Sequence, residues 1–222
     1  EKGPQGDPGT GSGGAWDDLT STATSVPFNT SPVEPTTQGS LYWDADELTL
    51  SLIQNGTTLQ LGQETQYNVR NNTGVTIPDG TPVMASGSIG ASGRITITPM
   101  DGTDPLNVRY LLGITTEEIT NGSDGKVTNF GKVRGLDTSS WSDGDVLYIS
   151  STVIGELVST MPVPPAMAMP TAFVVNSHTN GTLFVRVNNL DMNAFASQLG
   201  SDDNYVTDAE KVVISNTSGA NS

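Results

Sequence analysis

Asp143-Gly144-Asp145-Val146-Leu147-Tyr148-Ile149-Ser150 sets out the grammar of most of this chain, a turn dipeptide followed by a short alternating strand. Asp-Gly favours a turn because glycine accepts positive φ without a steric penalty. After it, Val146, Tyr148 and Ser150 point one way and Leu147 and Ile149 the other, so register decides which set enters a core. Leu147 and Ile149 are predicted to face inward as the purely apolar pair. Tyr148 is predicted near an edge, where its hydroxyl reaches water or a partner.

The same pattern recurs upstream and downstream. Candidate strands fall at residues 67–71, 82–86, 94–98, 108–114, 126–130, 132–136, 146–150, 171–176 and 182–187, each bounded by turn residues. Asp79-Gly80, Asp101-Gly102 and Asn180-Gly181 are predicted to turn through positive φ, as Asp143-Gly144 is. No stretch between Gln66 and Leu190 keeps a 3.6-residue apolar period for three turns, which argues against a parallel α/β sheet. The expected fold is all-β, an antiparallel β-sandwich or a barrel-like domain.

Ahead of this domain, Leu41-Tyr42-Trp43 opens a second strand-forming region in which Leu48, Leu50 and Leu52 alternate with polar residues up to Asn55-Gly56. Leu59 and Leu61 alternate again beyond it. This spells a β-hairpin with a type I′ turn, and one hairpin is unstable alone in water. Its leucine face is therefore expected to lie on the main domain or on copies of itself in a trimer.

The beginning of the chain speaks for three copies. Gly3, Gly6 and Gly9 recur every third residue with Pro4 and Pro8 between them, which is collagen spelling, because the axis of a triple helix has no room for a Cβ. A flexible Gly/Pro linker is the plainer reading. Three triplets cannot hold a triple helix alone, so a neighbouring domain must keep the chains together. The period is lost by Gly11, Gly13 and Gly14, and Trp16 with Leu19 either plugs the axis where three chains diverge or packs against a neighbour. Between Thr20 and Gly39, Pro27, Pro32 and Pro35 deny helix and central strand.

Downstream, Met161-Pro162-Val163-Pro164-Pro165 with Met167 and Met169 is an apolar strip suited to a subunit boundary or to covering the core. Thr207 and Glu210 have the spacing of a capping box, which predicts two helical turns over residues 208–214. The expected organisation is 1–14 as the end of a collagen-like stalk, 15–64 as extended connector and hairpin, 65–190 as the β-sandwich domain, and 191–222 as short helix and polar linker.

Composition narrows the functional classes. Hydrophobic residues are 34% of the 222, and so thin a core makes association the natural remedy. Nine Lys and Arg against 24 Asp and Glu give a net charge of -15, which repels phosphate backbones and anionic membrane surfaces. No nucleic-acid partner and no membrane insertion are expected. The absence of Cys removes disulfides and thiolate metal sites.

Catalytic signals are weak, and no cofactor or metal site is expected. His178, the only histidine, stands beside the Asn180-Gly181 turn, and nothing marks a nucleophile for it. The local carboxylate pairs Asp143/Asp145, Glu117/Glu118 and Asp101/Asp104 could serve glycoside chemistry at the right separation, but such pairs are usually turn formers. Asp101-Gly102-Thr103-Asp104 lacks the alternating ligands and closing Glu of a calcium loop.

Several stretches are similar to modules of bacteriophage tail-fibre and other virion fibre proteins. They are Gly131-Lys132-Val133-Arg134-Gly135-Leu136-Asp137-Thr138 with Trp141 to Ser150, Leu41-Tyr42-Trp43-Asp44-Ala45-Asp46, Asn71-Asn72-Thr73-Gly74 through Val83, and Asp203-Asn204-Tyr205-Val206-Thr207-Asp208-Ala209-Glu210-Lys211. Together they cover most of residues 40–214. The resemblance implies a homotrimeric, non-enzymatic structural protein of a virion, a shaft or knob projecting toward the host and joined to tail or capsid proteins. In that setting Gly3, Gly6, Gly9 and Trp16 belong to the trimeric stalk. The alternative is a carbohydrate-binding or carbohydrate-active β domain engaging host surface glycans, with Trp43, Tyr110, Trp141 and Tyr148 as aromatic contacts.

Overall fold

The computed structural model describes residues 26–187, apart from 92, 164, 165 and 167. The predicted stalk with Gly3, Gly6, Gly9 and Trp16, and the predicted helix at 208–214, lie outside the described residues.

The main body is β throughout, as expected, and its centre is a closed barrel of five strands: β4 (Thr65–Asn71), β5 (Pro82–Ile89), β6 (Arg94–Pro99), β7 (Leu111–Thr115) and β8 (Asp124–Leu136). Around the barrel the order is β8-β4-β6-β5-β7, and β7 closes back on β8 through Ile114 opposite Thr128 and Thr115 opposite Val127. Closure removes the sheet edges that would otherwise invite foreign strands. Val69, Val83, Ile97 and Val127 point inward, joined by Ile77 and Ile119 from the connecting loops, and all six are buried.

β8 runs for 13 residues where two strands were expected. Its first half pairs with β4 and β7, and its second half leaves the barrel to pair with β12 (Gly181–Arg186). Beyond β12 follow β11 (Pro170–Asn176), β9 (Val146–Ile149) and the two-residue β10 (Leu157–Val158). Gly131 stands between the two halves with φ +123°, and a Cβ there would fall 2.5 Å from Glu64 Cγ. Glycine therefore permits both an unusual backbone conformation and the close approach of Glu64.

Three further expectations need correction. The barrel is not wholly antiparallel, because β4 and β6 run parallel with β5 crossing between them in sequence. Val108 belongs to a 3-10 helix, Pro105–Tyr110, and not to β7. Asp104 caps that helix by accepting the Leu106 N–H, an arrangement that competes successfully with strand. Gly80 and Gly144 adopt the expected positive φ, but Gly102 and Gly181 do not. These two are small because their surroundings are crowded: a Cβ at Gly102 would strike the Ser150 carbonyl, and one at Gly181 the Thr138 hydroxyl.

Ahead of the barrel lies a three-stranded antiparallel sheet, β1 (Leu41–Asp44), β2 (Thr49–Ile53) and β3 (Thr58–Gln60). The hairpin at Asn55-Gly56 is present, but only Gly56 takes positive φ, so its turn is not type I′. The larger departure concerns its faces. Tyr42, Ser51 and Gln60 occupy one row across the strands and are buried, as is Asp44. Leu48 is 72% exposed and Leu61 38%, while Leu50, Leu52 and Leu59 are half-buried. The polar face, not the leucine face, meets the second half of β8.

In the strand that follows Gly144, Leu147 is fully buried and Ile149 nearly so, and Tyr148 is half-buried one strand from the sheet edge. Leu147→Ala should destabilise the domain by about 2 to 5 kcal/mol in chemical denaturation, and Leu48→Ala by less than about 0.5 kcal/mol. Equal effects would mean that the register is wrong. Gly144 has open space around it, so Gly144→Val should cost about 1 to 2 kcal/mol through its backbone alone, read as a lower melting temperature.

Candidate functional site

The seam between the three-stranded sheet and β8 concentrates the charge chemistry of the described residues. Glu47, in the turn after β1, accepts from Lys132 Nζ to both carboxylate oxygens at 2.8 and 2.6 Å and from Arg134 Nη2 at 2.9 Å. Glu64, just after β3, accepts from Arg134 Nη1 at 2.9 Å and from the Gln60 and Lys132 backbone N–H groups at 3.2 and 3.3 Å. Gln60 Oε1 accepts from the same Arg134 nitrogen at 3.1 Å. Lys132 and Arg134 share a face of β8 by strand alternation, so one sheet face presents both cations to the polar face of the hairpin.

The Glu64 side chain is only 2% exposed, and a buried carboxylate is tolerable here because it receives several donors. Burial opposes ionisation of Glu47, yet the hydrogen bonds from Lys132 and Arg134 outweigh it and hold the carboxyl below its usual range. Burial likewise works against the Arg134 charge, and Glu47 and Glu64 overcome it and raise its pKa. A cleft of about 410 Å³ opens beside the seam, lined by Glu34, Tyr42, Asp44, Glu47, Lys132 and Arg134 among others. Its cations already face carboxylates of the same chain.

Of the carboxylates paired in the sequence, Asp143, Asp145, Asp101, Asp104 and Glu117 hold backbone. Asp143 accepts the Ser177 N–H and Asp145 the Ser142 N–H. Asp101 accepts from Thr103, and Asp104 caps the 3-10 helix. Glu117 accepts the Lys126 N–H, and burial pushes its carboxyl up. Burial also pushes Asp79 up to about 6, with Glu117 acting in the same direction. Asp79 is nevertheless an exposed residue holding the Gly80 N–H, and water on its open side weakens a case for a general acid. His178 is exposed, its Nδ1 accepts the Asn180 N–H, and its backbone joins Thr138. Among the described residues no group of three His, Asp or Glu is placed to hold a metal ion.

The aromatic residues offered for glycan contact are spread over separate elements. Trp43 lies on β1, Trp141 packs against the cluster beneath β9, β11 and β12, and Tyr148 sits on the opposite face of β9 from Leu147. None of the three lines the seam cleft or the second cleft, of about 420 Å³, near Gln38, Leu52 and Lys126. Tyr110 is half exposed beside Arg109. Sequence reading missed the aromatic ladder Phe130–Phe184–Phe173, with ring centroids 5.2 and 5.1 Å apart. It also missed the ionic seam. Glu47 and Lys132 are 85 residues apart, and no local spacing announces such a pair.

The chain matches no protein-family model, and a search of curated proteins finds no match either.

Glu47 ionises more readily in the folded protein than its usual value of 4.5 allows, so its contribution to stability is present above that pH and is lost as pH falls through the lower folded value. Glu47→Gln should therefore lower the melting temperature at pH 7, with the gap to the parent closing under acid conditions. A gap that is constant from pH 7 to pH 3 would show that Glu47 does not act through its charge.

Proposed function

We propose that this chain is a segment of a trimeric bacteriophage virion fibre, in which a collagen-like stalk leads into a β-barrel knob that projects toward the host and joins other fibre modules. The observation that carries the reading is the glycine period at Gly3, Gly6 and Gly9, since crowding at a triple-helix axis is the physical reason for glycine at every third position. The closed barrel supports a mechanical role, because closure leaves no long open edge on its five strands. The Asn71-Asn72-Thr73-Gly74 and Gly131-to-Thr138 stretches that resemble fibre modules do architectural work in the fold. Asn71 donates to the Val75 and Ile119 carbonyls at 2.7 Å each, and Thr138 donates to the Asn176 carbonyl at 2.7 Å.

Sedimentation velocity of the chain at micromolar concentration should give a species of three 23.2 kDa chains; a stable monomer would remove the trimeric reading. Gly6→Val should fray the stalk while the strand signal in circular dichroism stays unchanged. Loss of that signal would contradict the separation of stalk and barrel.

A further inference from the structure

The three-stranded sheet is built inside out. Leu41, Leu52 and Leu59 form one row across its strands, and Trp43 and Leu50 form the next. Leu61 continues the second row, its N–H bonded to the Leu50 carbonyl at 2.8 Å. All six share the face opposite Tyr42, Ser51 and Gln60, which are buried at the seam; of the six, Leu52 also lines the second cleft beside Asp124 and Lys126 of β8. Leu41 is 45% exposed and Leu61 38%, the other four are half-buried, and none of the six belongs to a core cluster of the described residues. An antiparallel sheet with one solvated face normally carries polar residues there. A plate of six large apolar side chains on that face calls for a cover.

The geometry points to other copies of this chain as that cover: the leucine and tryptophan plate is where three protomers pack against one another below the stalk. This rests on the trimeric reading above. Two observations select copies of the chain as the occupant. The plate holds the first strands among the described residues and follows the glycine period in sequence, so a triple-helical stalk would bring three plates toward a common axis. It also carries no charged side chain, in a chain of net charge -15, and is therefore a place where copies approach with little repulsion. Three strands of about four residues span roughly 14 by 13 Å, enough for the centre of an interface whose rim comes from neighbouring surface.

The test uses the full chain and exploits its lack of Cys. Leu41→Ser/Leu52→Ser should raise the concentration at which the trimer dissociates at least ten-fold in sedimentation. In the otherwise unchanged trimer, a thiol placed by Leu61→Cys should react with a maleimide at least ten-fold more slowly than one placed by Leu106→Cys, a site 61% exposed on the 3-10 helix. If the parent chain is a monomer, the trimeric reading itself fails. A trimer in which Leu61→Cys and Leu106→Cys react equally fast overturns only the placement of the interface, and does so even if the double serine variant fails to fold. A monomer with a protected Leu61→Cys would mean that another segment of the same chain covers the plate, and would overturn the inference as well.

Discussion

The Glu64 carboxylate, all but sealed from water, is the constraint from which the arrangement of this molecule follows. A buried carboxylate must be met by donors, and the donors that reach it are Arg134 and the Lys132 backbone N–H from β8 and the Gln60 N–H from β3. Satisfying them clamps the small sheet to the second half of β8. The same contact explains Gly131, since Glu64 lies where a Cβ would stand. It also decides the orientation of the hairpin. Gln60 and its row mates Ser51 and Tyr42 must look toward Arg134, and by strand alternation every leucine of the sheet must then look away. Hydrophobic burial within one chain would have chosen the opposite face, so a few charge-assisted hydrogen bonds outrank it here.

That inversion marks the limit of what the sequence disclosed. Local features were legible: the strand after Asp143-Gly144, with Leu147 and Ile149 inward, follows from alternation and turn chemistry over eight residues. The hairpin at Asn55-Gly56 follows from the same logic. What alternation cannot state is which face meets which partner, because Leu50 and Ser51 alternate equally well whichever side is covered. The parallel pairing of β4 with β6 was hidden for a related reason, since strand order is set by long-range closure of the barrel. Gly102 and Gly181 were correctly noticed but for the wrong physical cause. They sit under backbone and hydroxyl oxygens, which only the assembled fold reveals.

The candidate site was less legible than the fold. Carboxylates paired in sequence turned out to hold backbone, Asp145 in its own turn and Asp143 at the distant Ser177, whereas the interacting charges Glu47, Glu64, Lys132 and Arg134 come from three separate segments. An acidic composition made local pairs easy to find and uninformative. The scarce residues were the better guide: with nine Lys and Arg in the chain, two on alternate positions of a single strand, Lys132 and Arg134, were the signal that a matched acidic surface would be needed.

The central claim is that the Glu64–Arg134 contact holds the hairpin polar face inward, and a double-mutant cycle measures it directly. Unfolding free energies of the parent, Glu64→Gln, Arg134→Met and the double variant isolate the coupling between the two groups. A coupling of about 1 to 3 kcal/mol at pH 7, the range for hydrogen-bonded charges in contact, is expected. A coupling under about 0.3 kcal/mol, the scatter seen for independent sites, would show that the seam does not orient the sheet.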